Sequence, residues 1–528
     1  MKITSLLLLT CFITAYLHAQ KPGAAIDVKH YEFALTLSDT TNKIKGQAAI
    51  DISFITNSQS ITLDLVSLTN TQKGMIVLQV TEKGHPLSYT HNNNQLTINF
   101  PAIVKSGEQK NIVITYEGIP ADGLIITNNK YGHRGFFADN WPNRAHNWFP
   151  CIDHPSDKAT IDFIVTAPDH YQVISNGIKT EDAVAGNKLH RTHYKETVPL
   201  STKIMVIGVA DFAVQQSGSV NGIPVYSWVY PEEKEKGFYD YALAVDILPF
   251  FIKNVGPYAF KKLANVESTT MFGGMENASA IFYSDEISIT GTRKSESLLA
   301  HEIAHQWFGD MATEADWSHL WLSEGFATYM TILYFENKYG PDTAKYMLSQ
   351  NRNTVIDFAR KRLHPVVDSS VTNYMELLNA NSYQKGGWVL HMLRRQLGDS
   401  LFWKGIRLYY SRYAGKNAIT DDLCKAMEDA SGQNLKQFFH QWLFVPGHPK
   451  LDLQWNYSND KKEINITVTQ QQNELFQFPL ELLAGAISKP VFIKDRQTTI
   501  TIPATEKPAT ITADPNVNLL FEGNVHEQ

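Results

Sequence analysis

Beyond residue 20, apolar and polar positions alternate one by one over long stretches. His30-Tyr31-Glu32-Phe33-Ala34-Leu35-Thr36-Leu37 and Ala48-Ala49-Ile50-Asp51-Ile52-Ser53-Phe54 are typical, with turn clusters such as His91-Asn92-Asn93-Asn94 between such runs. A period of two marks strands with one buried face, so residues 20–214 are predicted to form an all-β domain. The texture changes around Ser217-Gly218-Ser219-Val220-Asn221-Gly222. From about 240 to 445 apolar residues recur at spacings of three and four, as in Ser295–Phe308, Leu322–Tyr339 and Gln384–Leu397, which predicts amphipathic helices. Pro446-Gly447-His448-Pro449 ends the helical region, and residues 447–528 return to alternation, as in Glu463–Thr469 and Thr498–Ile502. The expected fold is multidomain α+β: an N-terminal all-β domain, a mainly α domain over 215–446 and a small C-terminal β-sandwich.

The first nineteen residues stand apart. Lys2 precedes an apolar run from Ile3 to Leu17, followed by His18-Ala19-Gln20. A charged start, a short apolar centre and a small residue at the cut describe a secretory signal peptide, with cleavage expected after Ala19. The run is short for a membrane span, and Thr10 before Cys11 does not suit a lipoprotein. The protein is therefore expected in the periplasm or the medium, without stable membrane insertion. Removing the leader leaves two cysteines, Cys151 and Cys424, far apart in the chain and expected to be buried free thiols.

Composition narrows the function. The 528 residues are 43% hydrophobic and carry 47 Lys+Arg against 53 Asp+Glu, a net charge of −6. This is globular, multidomain material and not a phosphate-backbone binder, so no nucleic-acid partner is expected.

The chemistry lies in His301-Glu302-Ile303-Ala304-His305, inside a predicted helix. Residues four apart on a helix lie on nearly one face, so both imidazoles can grip one ion. Glu302 is rotated about 100° from His301 and can stand beside the metal's open side as a water-activating base. Two histidines are too few for a tight zinc site. Glu324, nineteen residues beyond His305 in Trp321-Leu322-Ser323-Glu324-Gly325, is the candidate third ligand; His319, five residues before it, falls on another helical face. One zinc ion per chain is expected.

Gly273-Gly274-Met275-Glu276-Asn277, the histidine pair and Trp321-Leu322-Ser323-Glu324-Gly325-Phe326-Ala327 resemble the gluzincin aminopeptidases, the family of aminopeptidase N and leukotriene epoxide hydrolase. Further matches are Trp148-Phe149-Pro150-Cys151-Ile152-Asp153-His154-Pro155, Ser175-Asn176-Gly177, Tyr383-Gln384-Lys385-Gly386 and Phe439-His440-Gln441-Trp442. They run in family order from about 140 to 450. The resemblance implies a thermolysin-like catalytic domain with zinc on His301, His305 and Glu324, and Glu302 as general base. It implies Glu276 as the anchor for a substrate's free amine and Tyr383 as the donor to the oxyanion. It also implies that Gly273 and Gly274, within the segment that continues through Met275 and Asn277, run along the substrate like a strand.

Two departures carry expectations of their own. Many members have a Gln-x-Glu or Gln-x-Gln pair where this chain has Asp139 and Trp141. Asp139 is expected to assist Glu276, and Trp141 to narrow the side-chain pocket. The large helical domain that closes over the site in many relatives has no counterpart, which predicts a more open cleft. The leading reading is an exported zinc aminopeptidase. A thermolysin-type endopeptidase, a lipid-epoxide hydrolase and a non-catalytic binding protein are the alternatives. Glu276 speaks against the first alternative. The epoxide hydrolases use an aspartate several residues before the tyrosine, where this chain has Met375 and Glu376. The intact zinc set speaks against the last.

Overall fold

The computed structural model describes residues 25–186 and 188–528; the signal peptide expected over residues 1–19 lies outside the described residues. The N-terminal region is built on an eight-stranded sheet in which Ile26–Thr36 lies between Ile44–Phe54, antiparallel to it, and Lys158–Pro168, parallel to it. Alternate residues of Ile26–Thr36 are buried, as the period of two requires. Tyr31 and Phe33 point inward to meet Phe149, Trp148 and Phe163, with Phe33 and Phe149 centroids 4.4 Å apart. The Trp148-Phe149-Pro150-Cys151 stretch is thus core: Cys151 bridges Asp64 by two backbone hydrogen bonds of 2.8 and 3.1 Å. Cys151 and Cys424 are free and buried.

The second region opens with a five-stranded sheet ordered Ala213–Val220, Ile223–Val229, Leu263–Ser268, Ala280–Ser284 and Gly274–Met275, the last at the edge. Helices follow: Glu296–His305, Trp321–Tyr339, Pro341–Lys361, Gly386–Leu397, Asp399–Tyr413 and Thr420–Ser431. Two differ from the periodicity. The first ends at His305 rather than continuing to Phe308, because Asp310 N–H bonds back to the His305 carbonyl at 3.1 Å and turns the chain. The helix predicted to begin at Gln384 begins at Gly386, because Gln384 and Lys385 belong to a π-helical turn, Asn381–Lys385. Side-chain periodicity does not distinguish a π turn from an α turn over five residues.

The C-terminal region is a sandwich of a four-stranded sheet, with Lys450–Ser458 and Glu463–Gln470 at its centre, and a three-stranded sheet around Phe478–Ala484. It is docked on the helices: Arg352 donates to Asp514 at 2.6 Å and to the Leu519 carbonyl at 2.7 Å. The N-terminal region is clamped to the turn after the first histidine helix. Lys158 Nζ donates to the Asp310 and Met311 carbonyls, and Lys203 pairs with Glu314 at 2.5 Å with both side chains buried. No helix among the described residues is long and apolar enough to cross a membrane.

Candidate metal centre and active site

Helix Glu296–His305 presents His301 and His305 to helix Trp321–Tyr339, which presents Glu324 from its first turn. The three donor atoms form a near-equilateral triangle: His301 Nε2 to His305 Nε2 3.1 Å, His301 Nε2 to Glu324 Oε2 3.3 Å, His305 Nε2 to Glu324 Oε2 3.2 Å. Tetrahedral bonds of about 2.0–2.1 Å to zinc place neighbouring ligand atoms about 3.3 Å apart. The donor set therefore fits zinc, with one position left open.

Second contacts aim these ligands. His305 Nδ1 lies 3.0 Å from the Phe308 carbonyl, which fixes its proton there and leaves Nε2 as the ligand. Ser323 Oγ lies 3.0 Å from the same nitrogen. Burial alone would raise the Glu324 carboxyl, but His305 and His301 outweigh it and hold the group well below the ordinary glutamate range. An anionic ligand between two imidazoles results.

Glu302 is buried beside this triangle, and a second set of converging donors is Glu276, Glu302 and His305. Three carboxylates around two imidazoles form a cluster that calls for a cation. Gly274 sits directly over Glu302: a Cβ built there would lie 2.4 Å from Glu302 Oε1. Any side chain at this position would force the Glu302 carboxylate to shift.

Glu276, one residue beyond the edge strand, is 4% exposed and its Oε1 has no partner among the described residues. Its backbone is held from behind. Gln306 Nε2 donates to the Glu276 carbonyl at 2.7 Å, Asn176 donates to the Ala278 carbonyl at 2.7 Å, and Gly177 N–H bonds Ser279 Oγ. The Ser175-Asn176-Gly177 motif of the N-terminal region thus fixes the loop that carries the carboxylate. Tyr383 stacks on His301, ring centroids 6.0 Å apart and 11° from parallel. Burial raises its hydroxyl well above the usual tyrosine range, and Glu324, Glu276 and Glu302 raise it further. It remains a donor.

The cleft has a volume of about 250 Å³ and is lined by Trp141, Phe272, Leu298 and Leu378 besides the Gly273–Glu276 segment, the donor triangle, Glu302 and Tyr383. Two expectations need correction. Asp139 does not reach the cleft: its Oδ1 accepts from Arg144 at 2.7 Å, and its Oδ2 accepts from Thr270 Oγ1 at 3.0 Å and Met271 N–H at 3.2 Å. The carboxylate holds the loop before Phe272, is buried, and is not part of the cleft's lining. Asn277 is fully buried behind the edge strand and lines no part of the cleft. Trp141 does line it, edge-on to Phe272 at 6.0 Å and to Trp317 at 5.8 Å. Reasoning from sequence missed Gln306, Phe272, Leu298 and Leu378. Gln306 stands next to a ligand, which is a faint signal; the others carry none.

Comparison with known proteins agrees with this geometry. Residues 27–204 match the peptidase M1 N-terminal domain and residues 239–442 match the peptidase family M1 domain. The chain belongs to peptidase family M1. Zinc is the family's metal, and the donor triangle is a His/Glu cluster of this chain that fits it. The chain is 30% identical over 350 residues to glutamyl aminopeptidase of Bitis rhinoceros, an alignment covering 63% of this chain and 36% of that one. It is 30% identical over 325 residues to aminopeptidase M1-A of Oryza sativa subsp. japonica, covering 59% and 37%. It is 25% identical over 527 residues to puromycin-sensitive aminopeptidase of Caenorhabditis elegans, covering 90% and 54%. These matches cover between about a third and half of the relatives' lengths.

Proposed function

We propose that this M1 chain is an exported zinc aminopeptidase that hydrolyses the first peptide bond of peptides with a free N-terminus. The leader over residues 1–19 supports export to the periplasm or medium. When bound, zinc supplies Lewis acidity and lowers the pKa of water. Glu302 takes the proton from the attacking water and hands it to the leaving amine. Tyr383 O–H donates to the scissile carbonyl oxygen as it gains negative charge. Glu276 pairs with the substrate's ammonium and so fixes which peptide bond lies over the base.

One observation carries this reading: a buried carboxylate oxygen, Glu276 Oε1, left without a partner within a cleft that also holds a zinc donor set and a base. An endopeptidase has no use for an ammonium anchor. Once anchor, ligands, base, tyrosine and glycines are set aside, the walls left for the first side chain are Trp141, Phe272, Met275, Leu298 and Leu378. All are apolar, and no Lys or Arg joins them. The substrate class we propose is therefore peptides beginning with Leu, Met or Phe. Acidic starts are disfavoured, although the Bitis rhinoceros relative bears the name glutamyl aminopeptidase. An epoxide hydrolase finds no support in Glu376, which pairs with Arg362 at 2.8 Å and is half exposed.

Aminoacyl fluorogenic substrates test the reading. Leu, Met and Phe substrates should exceed Glu and Arg substrates in kcat/KM by roughly a hundredfold, and acetylation of the amine should abolish turnover. Undiminished cleavage of acetylated peptides would transfer the chain to the endopeptidase reading.

A further inference from the structure

Tyr383 sits in the π-helical turn Asn381–Lys385, and that turn is tied to the junction with the C-terminal sandwich. Lys385, two residues after the tyrosine, is 1% exposed. Among the described residues its ammonium makes one hydrogen bond, to the Gly447 carbonyl at 2.7 Å. Gly447 belongs to the Pro446-Gly447-His448-Pro449 linker, and Glu522 of the last strand bonds the Pro449 carbonyl at 3.0 Å. A buried ammonium with a single acceptor is costly. Burial pushes it down to about 7, and an apolar side chain would fill the same space at less cost.

Other bonds tie the same parts together. Asn381 Nδ2 donates to the His364 and Pro365 carbonyls at 2.9 and 3.1 Å, and Val366 and Val367 N–H groups bond the Leu443 carbonyl, both at 3.0 Å. Gln441 and Gln477 exchange bonds of 2.8 and 2.9 Å between the last catalytic turn and the sandwich. On its other side the turn leads into helix Gly386–Leu397, whose start packs against helix Trp321–Tyr339, the one that carries Glu324. A Cβ on Gly325, next to Glu324, would lie 2.8 Å from Gly386 Cα. The tyrosine's turn is thus gripped between the ligand helix and the linker.

We infer that the C-terminal sandwich is a working part of the active site, and that Lys385 is the positioning residue through which the linker carbonyl of Gly447 holds the Tyr383 hydroxyl in place. The inference rests on the reading that Tyr383 serves the carbonyl oxygen. Lys385 touches no substrate; it acts through the turn. Misplacing a catalytic group by about 1 Å can cost a hundredfold in rate, so a donor two residues away is enough to matter.

A double-mutant cycle on the full zinc-loaded chain tests it. Tyr383→Phe alone should lower kcat with KM little changed; if it does not, the tyrosine's own role falls, and the brace falls with it. Given that loss, Lys385→Met should lower kcat roughly ten- to a hundredfold, with KM within about twofold and zinc retained. Lys385→Arg, which keeps a donor, should recover part of the rate. In the Tyr383→Phe background Lys385→Met should cost nothing further. If the two losses multiply in full, or Lys385→Met leaves kcat intact, the brace is overturned while the tyrosine's role stands. Should Lys385→Met fail to fold, Lys385→Gln takes its place in the cycle.

Discussion

Glu302 and Gly274 touch across the edge of a sheet, and their roles differ by one chemical group. Glu302→Gln preserves shape and removes the proposed base. It should keep one zinc by metal analysis and lower kcat by roughly 10²–10⁴-fold. Gly274→Ala adds a methyl 2.4 Å from the Glu302 carboxylate. It should depress kcat/KM by about a hundredfold or more while zinc stays bound, as steady-state kinetics and metal analysis on one sample will show. At this scale the sequence was unevenly legible. His301, Glu302 and His305 share one helix, so spacing alone relates them. Asp139 stood at a position where relatives carry a substrate-binding group, yet Arg144 and the Thr270–Met271 loop take up its oxygens. Those partners include residues more than a hundred positions away, and no local pattern encodes them.

Strands and helices position the site through a few buried bonds between regions. Lys203 and Glu314 form the most buried of these, joining the N-terminal region to the strand after the histidine helix. Burial alone would lower the Lys203 ammonium; Glu314, with help from Glu276, outweighs it and raises the group. Lys203→Met leaves Glu314 buried without its partner, so unfolding should become easier by about 3–5 kcal/mol, measured by denaturant titration. The double variant Lys203→Met with Glu314→Leu should recover much of that loss, because no lone charge remains. Element types were readable from periodicity, since a strand or helix buries one face at its own period. The π turn at Asn381–Lys385 and the early stop at His305 were not. Both depend on what packs against them.

Across the whole molecule, the C-terminal sandwich meets the helices through two buried histidines. His391 lies 3.0 Å from the Val517 carbonyl, and His448 lies near Glu522 and beside Lys385. Burial pushes His391 down to about 3 and His448 down to about 4, with neighbouring cations adding to both shifts. Unfolded, each titrates near its ordinary value of about 6.5. The unfolded chain therefore binds more protons below that pH, and stability falls as pH drops from about 6.5 through about 4. Between pH 7.5 and pH 4.5 the Tm of the parent chain should fall relative to that of His391→Gln, which lacks this contribution. The sequence by itself determined the order β, α, β, the helix that carries His301, Glu302 and His305, and membership in a family whose His-Glu-x-x-His motif and downstream glutamate it keeps. These follow from local periodicity and from contiguous motifs. Only the tertiary structure decided that the cleft beside the donor triangle has apolar walls, that Asp139 is tied to Arg144 and the Thr270–Met271 loop, and that Lys385 ties the turn of Tyr383 to the linker before the last domain. Each of those depends on which distant surfaces exclude water together, and chain-local patterns carry no record of that.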